Sequence, residues 1–491
     1  MTFRWKRLGL PLVIGSVAAC SAGADEDGDD PEPIPLVGAP GVTLQQVAIY
    51  QSLKRTLMLN GTPQGSNIPL VAGRDAMVRL YYATDPAYDG QPVTGRLRLA
   101  GQAPLEATTT LAPVSVEEDL ATTVNITVPG ALIGPTLDYS VTLGQDGTSR
   151  DDNPNANYPQ GGATEPVAVD GPQNKLRVIL APFAYHADGS GRLPNTSPEQ
   201  VEVIRQRFRG MYPVSDVEVT VREPQPWNIP IDPHSNAGWT DMGIEVFGYR
   251  GNDGAGDDVY YYGLFNPGAS LQTYCGGSCI LGMTLINADP PDVGAVGLRM
   301  ALGVGFDFVA ADTAVHEVGH SHGLLHAPCG PGLDPGSIDY EYPHAGGGIG
   351  VWGYDPLVGT LLAPTFYNDM MGYCDNLWIS DYHYNKLLAR GGNVNLPDWQ
   401  PPSEGPLAYQ LITIDGRGDG TFRSVAERGR PLAGKPIRTT TRSATGVTAE
   451  REARYFAYDH FPGGWLFVPV DDERLDRVEV TVDGRQVVAT R

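Results

Sequence analysis

"HEVGHSHGLLH", residues His316 to His326, gathers four of the chain's nine histidines together with one glutamate. Helical residues four apart share a face, so His316 and His320 present two imidazoles to one point. Zinc takes histidine nitrogens at about 2.0–2.1 Å and prefers four tetrahedral ligands. Glu317, next to the first imidazole, stands beside such a metal without binding it. There its carboxylate can take a proton from a water held on the metal, as a general base does. Gly323 permits a positive-φ turn that swings His326 back as a third ligand. Three neutral histidines leave one coordination position open, the mark of a catalytic rather than a structural zinc site. His322 falls roughly opposite His320 around the helix and reads as structural or exposed, not as a ligand.

Asp312 or Thr313 can cap this helix, which is expected to begin there. Upstream, "NKLRVILAPF" (Asn174 to Phe183) is a continuous apolar strand. In "SPEQVEVIRQRFRGMYP" Ser197 suits the N-cap, Pro198 the first helical position, and Gln200 completes a capping box. "DVEVTVRE" then returns as a strand. Strand, helix, strand opens an α/β unit, so a domain is expected over 171–395, closing after the helix "SDYHYNKLLAR" (Ser380 to Arg390). Before it, over 41–170, short alternating runs such as "VTLQQVAIYQ" and "DAMVRLYYA" predict an immunoglobulin-like β-sandwich. After the Pro-rich linker "LPDWQPPSEGP", runs from "YQLITIDG" to "RVEVTVDGRQVVAT" predict a second, small β-sandwich within 396–491. The fold class is therefore multidomain α+β, a catalytic domain flanked by two β-sandwiches that read as spacing or docking modules. His186, His234, His344, His383 and His460 stand alone in the sequence and receive no role.

HExxHxxGxxH resembles the signature of the metzincin zinc endopeptidases. Their second mark, a Met-turn below the metal, is resembled by "NDMMGYC" (Asn368 to Cys374). The resemblance makes Met371 the Met-turn residue, with Met370 the alternative register, and Tyr373 a tyrosine that binds zinc or the oxyanion. It implies a twisted sheet with an active-site helix, one zinc held by His316, His320 and His326, and Glu317 as general base in peptide-bond hydrolysis. Substrates would be extracellular proteins or glycoproteins. Peptides pair with a sheet edge in such enzymes, and "ILGMTLINA" (Ile280 to Ala288) is the candidate strand, a buried core strand being the other reading. The segment "GGGIGVWGYD" (Gly346 to Asp355) fits none of the best-known subfamilies. The competing function is a non-catalytic surface binding or adhesion lipoprotein on the same scaffold; the intact Glu317 argues against it. A non-proteolytic zinc hydrolase fits the ligands but not the Met-turn.

Acidic side chains outnumber basic ones by 57 to 34, for a net charge of −23. That field excludes a nucleic-acid binder. Residues 1–20 read as a signal peptide, and "VAAC" (Val17 to Cys20) resembles a bacterial lipobox, with Cys20 acylated. An exported lipoprotein of a Gram-negative outer membrane or cell surface is expected, with soluble secretion the alternative and lipid the only membrane contact. Residues 21–40 are acidic, rich in Pro and Gly, and read as a disordered tether. The four other cysteines are expected as disulfides in an oxidising compartment. "CGGSC" closes Cys275 to Cys279 locally. The metzincin likeness brings Cys329 and Cys374 together, a second metal site being the rival reading. "GNDGAGDDV" offers Asp253, Asp257 and Asp258 as oxygen donors for calcium but lacks an EF-hand pattern, which favours a solvated turn.

Overall fold

An unbroken apolar run is what a strand covered on both faces requires, and Lys175–Tyr185 occupies that place at the centre of a mostly parallel sheet. It lies between Asp216–Val221 and Val259–Phe265, parallel to both. Met300–Val304 continues the parallel order, and Gly282–Thr284 runs antiparallel at the edge, with Gly282 opposite Gly303. This computed structural model describes residues 35–147, 150–287, 295–394, 408–427, 434–470 and 474–491. The signal segment with Cys20, the acidic stretch through residue 34 and the linker residues 396–407 lie outside the described residues.

The first crossover helix, Pro198–Met211, starts as its sequence predicts: Ser197 caps the amide of Gln200, and proline follows the cap. Gln200 does not reach back to close the box. Its amide donates instead to the carbonyl of Asp307 at 2.7 Å, tying this helix to the start of the helix that carries the histidine motif. That second helix spans Asp307–Ser321 and begins upstream of the predicted cap. Ala310, Ala311 and Ala314 are buried in the core and carry its apolar face further back. Asp312 is no cap, because its carboxylate pairs with Arg207 at 2.6 Å.

Strands between Leu36 and Ala168 form two antiparallel sheets closed over one apolar core. This module docks through apolar groups, Leu53 and Ile68 joining the central domain's core, and through polar ones. The buried guanidinium of Arg74 donates to the carbonyls of Tyr212 and Val214 at 2.6 and 2.9 Å, meeting the carbonyl-rich end of helix Pro198–Met211.

The C-terminal module corrects the expected β-sandwich. Its seven strands close into a barrel: Ala408–Ile414 pairs both with Asp419–Glu427 and with Gly464–Val470. Alternating short strands suit either architecture; closure depends on which distant strands meet, and alternation does not encode that. Nor is the barrel a spacer. Tyr409, Leu411, Tyr458, Trp465 and Phe467 share one buried cluster with Trp239, Met242 and Leu285 of the central domain.

Cys275 bonds Cys279, and Cys329 bonds Cys374 across a separation of 45 residues. Loop entropy assigns the longer bridge about 4 kcal/mol. The double variant Cys329→Ser/Cys374→Ser is therefore expected to melt several degrees lower in a thermal scan; an unchanged melting temperature would contradict this.

Candidate metal centre

Gly323 adopts φ 90°, and the chain turns there to bring His326 back against the helix. The Nε2 atom of His320 lies 3.2 Å from that of His316 and 3.1 Å from that of His326. These are not hydrogen bonds, because the opposite nitrogens fix the tautomers. Nδ1 of His316 and of His320 face the carbonyls of Met370 and Leu324 at 2.7 Å, so both must donate. Nδ1 of His326 meets Ser337 Oγ at 2.8 Å, and that hydroxyl donates to the carbonyl of Asp334. All three Nε2 atoms are thus bare lone pairs aimed at one another in a buried space. Two nitrogens of a tetrahedral zinc at 2.0–2.1 Å stand about 3.3 Å apart, so the cluster fits that ion. Burial holds all three imidazoles below their usual range, His316 at about 3, in the neutral form that metals bind. Supporting hydrogen bonds of this kind are worth about 10–100-fold in metal affinity. Ser337→Ala should weaken zinc binding by that factor in a chelator competition; unchanged affinity would show that Ser337 does not orient His326.

The segment Asn368 to Cys374 lies against this cluster. A Cβ on Gly319 would sit 2.6 Å from the sulfur of Met371, so glycine is needed for the helix to rest on that side chain. Met370 is buried too, but offers its carbonyl to His316. The backbone of Ala327 donates to Met371, and that of Tyr373 to Cys329, so the loop after His326 and the segment around Met371 pair through backbone as well as through the disulfide. Asp369, fully buried, accepts from the amides of Met371 and Ser380 and from His383. Burial alone would raise its carboxyl; the His383 charge and these donors hold it low. His383, assigned no role from sequence, thus fastens the turn to helix Asp381–Val394.

Glu317 is buried against the edge strand, where a Cβ on Gly282 would meet its carboxylate at 2.3 Å. Burial pushes its carboxyl up to about 8. Its Oε1 shares a hydrogen bond with Nε2 of His460 at 2.9 Å, and Nδ1 of His460 bonds the Tyr373 hydroxyl. Burial also raises that phenol far above its usual range and keeps it protonated. The Tyr373 ring centroid is 4.8 Å from that of His326. Asp459 Oδ2 comes within 3.9 Å of His320 Nε2; burial and the neighbouring Glu317 push this carboxyl up.

His460 and Asp459 were not found from sequence. They come from a turn of the barrel, in "YDHFPGG", with no spacing that relates them to the histidine motif. His322 is in the core, stacked on Tyr260 at 4.2 Å between centroids.

The candidate substrate strand Ile280 to Ala288 is only partly available. Its regular portion is Gly282–Thr284, and Ala288 lies outside the described residues. Beyond it the barrel takes the open edge: Ile286 N donates to Ala457 O at 3.0 Å, and Asp459 N to Thr284 O at 3.4 Å. A cleft of about 650 Å³ remains, bordered by Ile280, Gly282, Thr313, Glu317, Tyr373 and His460. In the acidic loop, Asp253 pairs with Arg222 and Asp258 with Arg177, and Arg250 donates to the backbone of Asp257. Arginines thus pair with the Asp253 and Asp258 carboxylates.

Residues 294–376, which carry helix Asp307–Ser321, the three clustered histidines and the segment Asn368 to Cys374, match the family model of peptidase M66, a zinc metallopeptidase family. Together with the histidine cluster, the match makes this part of the chain similar to zinc metallopeptidases. No curated protein matches the sequence. One solved structure, titled "Structure of a chaperone-substrate complex", is 15% identical over 54% of this chain and 38% of that one, with a TM-score of 0.24. The chain spans well under half of that protein, and no argument rests on the likeness.

Proposed function

We propose that the protein is a zinc-dependent endopeptidase acting on extracellular proteins or glycoproteins. The observation that carries this reading is the convergence of three bare Nε2 lone pairs beside the buried carboxylate of Glu317. His316, His320 and His326 would hold the zinc, which when bound supplies a Lewis acid for water and the scissile carbonyl. Glu317 takes the proton of the attacking water and returns it to the leaving amine. Tyr373, kept protonated by burial, turns its one hydroxyl proton from His460 Nδ1 to the oxyanion as that charge develops on the carbonyl. The substrate lies in the cleft beside Ile280–Gly282. On this reading the protein is exported and held at an outer membrane by a lipid on Cys20, with freely secreted protein as the alternative. Casein digested with and without chelator tests the activity. Internal cleavages seen by mass spectrometry and abolished by chelator are expected; shortening from one end alone would refute an endopeptidase.

A further inference from the structure

We propose that His460, delivered by the C-terminal barrel, is a positioning residue of the hydrolytic centre, its imidazole bridging the carboxylate of Glu317 and the phenol of Tyr373. This inference rests on the peptidase reading. With Glu317 ionised, as a base must be, one tautomer satisfies both contacts: Nε2–H donates to Glu317 Oε1 at 2.9 Å, and Nδ1 accepts the Tyr373 hydroxyl. Both nitrogens of His460 are therefore engaged, whereas the three clustered histidines each leave Nε2 bare. His460 faces the cluster, 5.5 Å between its ring centroid and that of His316, with a nitrogen within 4.8 Å of theirs; its Nε2 also comes within 3.3 Å of Asp459 Oδ2, but its two bonds go to the base and the phenol.

The residue before it is pinned to the edge strand. Asp459 Oδ1 accepts from Thr284 N at 3.1 Å, and Asp459 N donates to Thr284 O. One residue earlier, the Tyr458 hydroxyl meets Thr240 Oγ1 at 2.8 Å and accepts from Trp465 Nε1 at 3.0 Å. Tyr458, Trp465 and Phe467 are within 1% of fully buried. A plug that had to withdraw before catalysis would expose all of this apolar surface to water. The seating is that of a permanent wall. The Asp459 carboxyl also adjoins the Glu317 carboxyl, but His460 is the residue that bonds Glu317 Oε1 and the Tyr373 phenol together, so one ring sets both. Base and oxyanion donor are thereby held in one register by a group that need not touch the substrate.

Full-length His460→Ala and His460→Gln test this against wild type. A displacement of about 1 Å at a reacting group costs on the order of 100-fold, so kcat of His460→Ala should fall by roughly that factor with KM close to wild type. His460→Gln, whose amide nitrogen can reach the Nε2 position, should recover part of the loss, and free imidazole should raise the rate of His460→Ala but not of wild type. Zinc content and the visible spectrum of the cobalt-substituted protein should not change. A lost metal or an altered cobalt spectrum would make His460 a ligand. An equal rate would make the bridge idle, and a faster one would make it a plug. Failure of both variants to fold would leave only a structural role. Each of these outcomes overturns the proposal. An inactive wild type refutes the peptidase reading and this inference with it; an active wild type matched by His460→Ala refutes this inference alone.

Discussion

Glu317→Ala is expected to lose hydrolysis by about 10²–10⁴-fold, the usual worth of a positioned acid–base group, while still binding zinc with near-normal affinity. The two halves of that result have separate causes. Glu317 belongs to the same helix as His316 and His320 but lies against Gly282 of the edge strand, and it contributes no nitrogen to the cluster. Removing its side chain leaves the Nδ1 contacts of all three histidines in place. It takes away the carboxylate that receives the water's proton. Metal analysis of the purified variant beside a peptide-cleavage assay reads both halves; substantial remaining activity would sink the assigned base.

His320→Ala should act the other way, abolishing activity by emptying the site. His320 is the central member of the cluster, within 3.2 Å of both partner Nε2 atoms, and is fully buried. Loss of a supporting hydrogen bond costs about 10–100-fold in metal affinity; loss of a ligand should exceed that and leave substoichiometric zinc after dialysis. Full zinc occupancy in this variant would mean that the metal is held elsewhere.

How much of this was legible beforehand follows from the range of each interaction. The three ligands sit on one helix and one glycine turn, so helical periodicity and a single positive φ sufficed to bring them together. The Cys329–Cys374 bridge followed only with the metzincin likeness, which supplied the contact between two loops. The start of the active-site helix was misplaced because Asp312 reads as a cap until Arg207, far away in sequence, is seen to claim its carboxylate. The barrel's closure depends on Ala408–Ile414 meeting the distant Gly464–Val470, and the arrival of Asp459 and His460 at Glu317 on pairing between Thr284–Ile286 and Ala457–Asp459 across two domains. No local pattern records such pairing, and a lone histidine in a hairpin turn gives no signal. The half of the edge strand that was expected to receive substrate is occupied for the same reason.

The central claim, hydrolysis carried by one metal in the histidine cluster, is tested most directly by titrating metal-free protein with zinc while following casein cleavage. The rate should rise in proportion to added zinc and level off at one ion per chain, with Glu317→Ala taking up the same ion without cleavage. Full activity in the metal-free protein, or uptake of one zinc by wild type with no cleavage, would contradict it.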